Sequence, residues 1–201
     1  MRVTTIDDAA AEDKTWFAHY DGRRPSGFEK LSSVVEVLAP RVLLDQTIGR
    51  QTRYERAWRT FDRFRTGGRR LSGWHDTYFE RLTRAASGNR LESLVDALHR
   101  WGTNPTAALY AHIEGGDSQS LRTRGSPCLQ YIQFGVYNGV INLTGLYRSH
   151  DFERKALGNF VGLTRLLRFA AAETSRTVGI VRCVSLHAHC TNKSNLANLV
   201  S

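Results

Sequence analysis

Apolar positions along this chain change period several times, and each change marks an element. Residues 31–44 are rich in valine and leucine and are broken at Pro40, which predicts a strand or short helix, a turn and a strand. Between 52 and 64, Tyr54, Trp58, Phe61 and Phe64 recur at near-helical spacing while Arg53, Arg56, Arg59 and Arg63 fall on other faces. The expectation there is an amphipathic helix with a basic exterior. Gly67-Gly68-Arg69-Arg70 breaks the pattern, and a second helix begins near Arg90, with Leu91, Leu94, Val95 and Leu98 in one stripe and Asn104-Pro105 beyond its end. Residues 107–113 predict a strand; 115–125, polar and flanked by glycine, predict a surface loop leading to Ser126-Pro127-Cys128. The first 30 residues are polar and expected to be partly irregular, with Gly22-Arg23-Arg24-Pro25-Ser26-Gly27 as a loop whose arginines are open to an anion.

The strongest local signal lies further on. Two β-rich runs, 129–137 and 140–148, are separated by Asn138-Gly139, the dipeptide that suits a two-residue type I′ turn. Such a turn fixes register, so Phe134 should face Leu143, Tyr131 should face Leu146, and Cys128 should lie opposite Ser149 with Arg148 beside the pair. A cation near a thiol favours the nucleophilic thiolate. Spacing alone leaves Cys128 open to the plainer role of a small buried hydrophobe and Arg148 to that of a surface arginine at a strand end. After the hairpin, Phe160, Leu163, Leu167 and Ala170 share a helical face, which puts Asn159 at or near a helix start, where an N-cap role is the simple reading. Residues 181–189 read as a strand with His187 and His189 on one face; with Cys183 or Cys190 they could ligate a metal, but no complete ligand set of known spacing is present.

Composition narrows the classes. With 201 residues, 41% hydrophobic and 23% charged, the chain is globular, and a single domain over 1–201 is expected. No apolar run is long enough for a membrane helix and the N-terminus lacks a secretory h-region, so a cytoplasmic protein is expected. The net charge of +9 suggests a polyanionic partner. Only Lys14, Lys30, Lys155 and Lys193 are lysines, however, and an arginine bias also arises from genome composition. Three cysteines make no disulfide framework.

Pro127-Cys128, Gln133-Phe134, Arg148-Ser149-His150-Asp151, Gly158-Asn159 and Ser185-Leu186-His187, in this order and spacing, resemble the thymidylate synthase superfamily, including its pyrimidine nucleotide hydroxymethylase branch. The resemblance covers residues 126–189 and reaches the helix at 90–101. It implies an α/β (α+β) fold, a mixed sheet packed with helices, and a homodimer formed through sheet faces. It also implies that Cys128 adds to C6 of a pyrimidine nucleotide or nucleoside, so that C5 can attack a one-carbon unit from methylenetetrahydrofolate. Arg148 would then bind phosphate and assist the cysteine, and Asn159 would read O4 and N3–H of a uracil-type base. His187 and His189 would hold the sugar or its waters, with Ser149 and the backbone around Asp151 completing the wall.

Departures from the family accompany these matches. Ala107-Ala108 stands where the family has an arginine pair, and Thr60 where it has a glutamate, with Asp62 or Glu55 as possible substitutes. The sequence ends soon after His187, short of the family's segment that closes over folate. The expected function is therefore a variant one-carbon transfer, hydroxymethylation or methylation. A non-catalytic nucleotide-binding relative and a nucleic-acid binder using the arginine face at 53–63 are the alternatives, with nucleic acid the less favoured partner.

Overall fold

The computed structural model describes residues 2–6, 14–67, 76–103, 105, 107–113 and 127–194, with side chains from residue 17 onward. In chain order the elements are β1 (Arg2–Ile6), α1 (Lys14–Arg23), α2 (Leu31–Leu38), a 3-10 turn (Arg41–Leu44), α3 (Arg50–Thr66), α4 (Tyr78–Thr83) and α5 (Arg90–Arg100). They continue with β2 (Leu109–His112), β3 (Leu129–Tyr137), β4 (Val140–Tyr147), β5 (His150–Asp151), α6 (Ala156–Glu173), β6 (Thr177–Ser185) and β7 (Ala188–His189). The main sheet has the order β1-β6-β4-β3-β2, and β5 pairs with β7 in a small second sheet. Only β4 and β6 run parallel in the main sheet, with α6 as the crossover between them. This is the mixed α/β fold expected.

Alternation sends Ile132, Phe134, Val136, Ile141, Leu143 and Val181 to one face, where they share a core with Leu163, Leu166, Leu167 and Phe169 of α6 and the leucine stripe of α5. Each such side chain contributes about 1.5–3 kcal/mol on burial. Helix α2 packs on α6 at unusually short range: a methyl on Gly158 would sit 2.7 Å from Cβ of Val34. The Asn138-Gly139 turn has φ values of 48° and 75°, the left-handed pair that type I′ requires. Among the described residues, no helix is long and apolar enough to cross a membrane.

Several expectations change. Residues 31–44 form a helix and a 3-10 turn with no strand, because Leu31, Val34, Val35 and Leu38 recur at helical spacing and are buried together. Gly22 and Arg23 close α1, so the first 30 residues are less irregular than expected. Arg24, read as open to an anion, donates to the Arg154 carbonyl and lies over the Phe28 ring. The strand read at 181–189 ends at Ser185; His187 falls in the turn before β7. On α3, Arg53 is buried rather than on a basic exterior, bound to the Leu43 carbonyl at 2.7 Å and to Glu173 at 2.5 Å. The partner that pulls it inward is 120 residues away, invisible to a local pattern. The loop at 115–125, Asn104, Thr106 and Gly68-Arg69-Arg70 lie outside the described residues.

The hairpin register holds at Phe134↔Leu143 and Tyr131↔Leu146, then shifts, and Leu129 faces Tyr147. The extra residue on β3 is a β-bulge. Gln130 anchors it, its Nε2 donating to the Pro127 carbonyl at 2.6 Å and its carbonyl accepting from Ile113 N–H at 2.8 Å. In consequence Arg148 N–H donates to the Cys128 carbonyl at 2.9 Å. Cys128 faces Arg148 and not Ser149.

Candidate active site

The C-terminal ends of the parallel strands β4 and β6, the start of β3 and the first turn of α6 meet at one end of the sheet. In open sheets this is where ligands bind, beyond the carboxyl ends of parallel strands. A recess there is lined by Val34, Val37, Asp76, Tyr78, Pro127 and Asn159, with Arg81 and Lys155 as its cations. Its depth offers about 20 Å³ to a water-sized sphere, room for about one water.

Cys128 borders this recess between Pro127 and Tyr78, whose hydroxyl accepts from the backbone N–H groups of Cys128 and Leu129 at 3.3 and 3.4 Å. Burial pushes the Cys128 thiol above its ordinary value; the charges of Arg148 and Lys155 pull the other way but do not cancel it. The sequence suggests a thiolate favoured by a neighbouring cation. In the structure desolvation outweighs that cation, and the resting sulfur is a thiol.

Asn159 lies one turn inside α6, after Lys155 at the N-cap position, so the N-cap reading does not hold. It is buried, and Nδ2 is 3.1 Å from Nε2 of His150. The other ring nitrogen of His150, Nδ1, is 2.8 Å from Ser185 Oγ and 3.8 Å from Cys183 Sγ. The His150 ring stacks on Tyr147 at 4.2 Å and meets the edges of Phe152 and Phe160. Burial lowers the His150 pKa to about 4. An amide that faces the recess is thus held from behind by a neutral imidazole.

The remaining expected residues lie apart, with His187 and His189 exposed and Ser149 and Asp151 half-buried. Backbone bonds tie them to the sheet: His150 N–H donates to the His187 carbonyl and Phe152 N–H to the His189 carbonyl, at 2.8 and 2.9 Å. The His187 and His189 rings stack with centroids 5.8 Å apart, and Ser149 Oγ is 3.5 Å from His189 Nδ1. Asp151 turns inward on its own loop, Oδ1 accepting from the N–H groups of Glu153 and Arg154. The structure therefore places Asn159 in the recess wall, Cys128 next to the wall residues Pro127 and Tyr78, and Arg148 across the strand from Cys128, with Ser149, His187 and His189 in a patch of their own.

Tyr78, Arg81, Lys155 and His150 were not singled out for roles from the sequence. Only His150 carried a hint, inside the Arg148-Ser149-His150-Asp151 run. Glu55 and Asp62, weighed as substitutes for a missing glutamate, point elsewhere: Glu55 meets Gln51 and Arg59, and Asp62 meets Arg65 and Arg84. The carboxylate that lines the recess is Asp76. Among the described residues, no three His, Cys, Asp or Glu side chains are grouped to hold a metal ion.

The fold is a mixed α/β sheet with a half-buried cysteine at a hairpin end and an asparagine, anchored by a histidine, in the first turns of a helix. Comparison with known proteins agrees. A curated protein from Methanosarcina barkeri is 27% identical over 124 residues, 62% of this chain and 51% of that protein. One from Methanosarcina acetivorans gives the same identity and coverage, and one from Methanosarcina mazei is 28% identical over 124 residues, 61% of this chain and 55% of that protein. All three bear the name "Putative thymidylate synthase". The chain spans about half the length of these relatives, and no family model matches it. It is a divergent relative of thymidylate synthase-like proteins.

Proposed function

We propose that the protein is a thymidylate synthase-like one-carbon transferase acting at C5 of a pyrimidine nucleotide or nucleoside, with Cys128 as nucleophile. The observation that carries this is the convergence of Cys128, Arg148 and the anchored Asn159 at one end of the sheet. A pyrimidine C5 is a poor nucleophile until a group adds to C6; a cysteine thiolate supplies that group and leaves an enolate-type O4. Asn159 donates to O4 as its charge develops, which favours the addition transition state over the ground state. Arg148 and Lys155 favour the thiolate, and in this reading they also meet the substrate anion. Arg81, on the recess wall, takes part of the role that an arginine pair at Ala107-Ala108 would have had. Ser149, His187 and His189 meet the sugar, and Asp151 shapes the loop that presents them.

No residue is assigned to methylenetetrahydrofolate, the donor that the family resemblance implies. The protein acts as a cytoplasmic homodimer, a second copy covering the sheet face that carries Tyr131, Gln133, Thr144 and Leu146, which the helices leave open.

The first half of the reaction is testable without a one-carbon donor. Reversible addition of Cys128 labilises the C5 proton, so uridine or cytidine nucleotides in deuterated water should lose their C5–H signal by NMR. Cys128→Ala should abolish the exchange. No exchange with any pyrimidine nucleotide or nucleoside overturns the proposal. A second reading, a nucleotide-binding relative without catalysis, draws on the desolvation that raises the Cys128 thiol; it requires binding without exchange.

A further inference from the structure

We propose that His150 is a positioning residue that fixes which way round the Asn159 amide faces a pyrimidine, and thereby selects a base with a carbonyl at C4 over one with an amine. The proposal rests on the reading of Asn159 as the base-recognition residue. An asparagine amide has a donor and an acceptor on one edge, and a half-turn about its last bond exchanges them. Uracil-type bases offer an acceptor at O4 and a donor at N3–H; cytosine-type bases offer the reverse. Whatever fixes the amide therefore fixes the base.

Three observations give His150 that role. Its ring is clamped, stacked within 6° of parallel on Tyr147 and edged by Phe152 and Phe160, so its two nitrogens cannot trade partners. Behind it, Nδ1 meets Ser185 Oγ at 2.8 Å, and Ser185 in turn hydrogen-bonds the Cys183 sulfur. Burial pushes the Cys183 thiol up to about 12, so this sulfur remains protonated near neutral pH. In front, Nε2 meets Asn159 Nδ2 at 3.1 Å, whereas Asn159 Oδ1 makes no hydrogen bond among the described residues.

With Nδ2 of Asn159 set against Nε2, one direction of donation satisfies this row. Ser185 O–H donates to the Cys183 sulfur, His150 Nδ1–H donates to Ser185 Oγ, and the Nε2 lone pair accepts one Asn159 N–H. The second Asn159 N–H and Oδ1 are left for the recess, a donor beside an acceptor, as O4 and N3–H need. A proton on Nε2 would instead call for Oδ1 and turn the amide over. The lowered His150 pKa keeps the ring neutral near pH 7 and so keeps a single proton for the two nitrogens.

Two measurements test this. In the ligand-free protein, nitrogen-15 NMR of the histidine side chains should show His150 neutral with its proton on Nδ1; a proton on Nε2 overturns the proposal. In the exchange experiment, the ratio of C5–H exchange rates for uridine and cytidine nucleotides should favour uridine in the wild type. It should fall about tenfold or more towards unity in His150→Ala, in line with the loss of one oriented hydrogen bond. His150→Gln, whose Oε1 can accept from Asn159, should restore part of the preference. If His150→Ala does not fold, Ser185→Ala removes the partner of Nδ1 while keeping the ring, and should lower the ratio too. A wild type that discriminates while the folded variant keeps its ratio overturns the role of His150 alone. A wild type that exchanges no pyrimidine overturns the Asn159 reading beneath it, and the base selection with it.

Discussion

Asn159 and His187 belong to the same expected site, yet they are held in place by different means. Asn159 sits within an 18-residue helix that docks on the sheet, and its amide is backed by the His150 ring. His187 lies two residues past the end of β6, exposed, held by a backbone bond and by the ring of His189. The first is positioned by the core. The second is positioned by the chain. Burial makes a side chain's orientation part of the fold and costly to change, whereas an exposed ring on a turn adapts to what it meets. A base needs fixed donors and acceptors, and a sugar tolerates adjustable ones.

The largest test of this contrast is Cys128, on the buried side. Cys128→Ala should reduce C5 exchange by about a thousandfold or more, since the proposed addition to C6 uses its sulfur. In the wild type the rate should climb with pH through and beyond about 8.5, the ordinary cysteine range, because burial raises this thiol. A rate already at its plateau near neutrality would show that the cations win over burial.

Next in size is acid stability. His150 has its pKa lowered to about 4 from an ordinary 6.5, so the unfolded chain binds a proton in that window and the folded one does not. Its contribution is whole above pH 6.5 and is lost as the pH falls towards 4, an effect of about 3 kcal/mol. Urea titrations of wild type and His150→Gln across this range should differ in slope. Gly158→Ala comes third: its methyl would press on Val34 and should cost about 1–3 kcal/mol, read as a lower urea midpoint with an unchanged m-value.

Smaller effects follow. The Tyr147 hydroxyl is buried with no hydrogen-bond partner among the described residues. Removing an unsatisfied polar group relieves a penalty, so Tyr147→Phe should stabilise by about 1 kcal/mol in the same titration. Smallest of all should be His187→Ala, which leaves stability within about 0.5 kcal/mol, as surface changes do, and lowers exchange by less than about tenfold. A stability loss like that of Gly158→Ala would erase the distinction between the two halves.

Much of this was legible in the sequence wherever the cause was local. Asn138-Gly139 announced its turn, the leucine stripe announced α5, and the order of Cys128, Arg148, Asn159 and His187 announced the family resemblance. What was not legible depended on distant partners. Arg53 reads as part of an outer face until Glu173 arrives from the end of α6. Residues 31–44 read as a strand or short helix, a turn and a strand until α6 offers the glycine against which α2 packs. The importance of His150 appears only when Ser185 and Asn159 close on it from two elements. Desolvation of Cys128 was hidden for the same reason, because burial is a property of the assembled fold.

The bulge at Gln130 gives the hairpin an odd count. Side chains on a strand alternate, so Cys128 would share the inward side with Ile132 and Phe134 if the alternation ran unbroken. One additional residue reverses this parity: Leu129 takes the core position and Cys128 steps aside to a half-buried one. The thiol's access to the recess is thus encoded in how many residues lie between it and the turn, apart from which residues they are. Point substitutions along β3 leave that count intact, while a single-residue deletion there sends the sulfur into the core and brings its neighbour out.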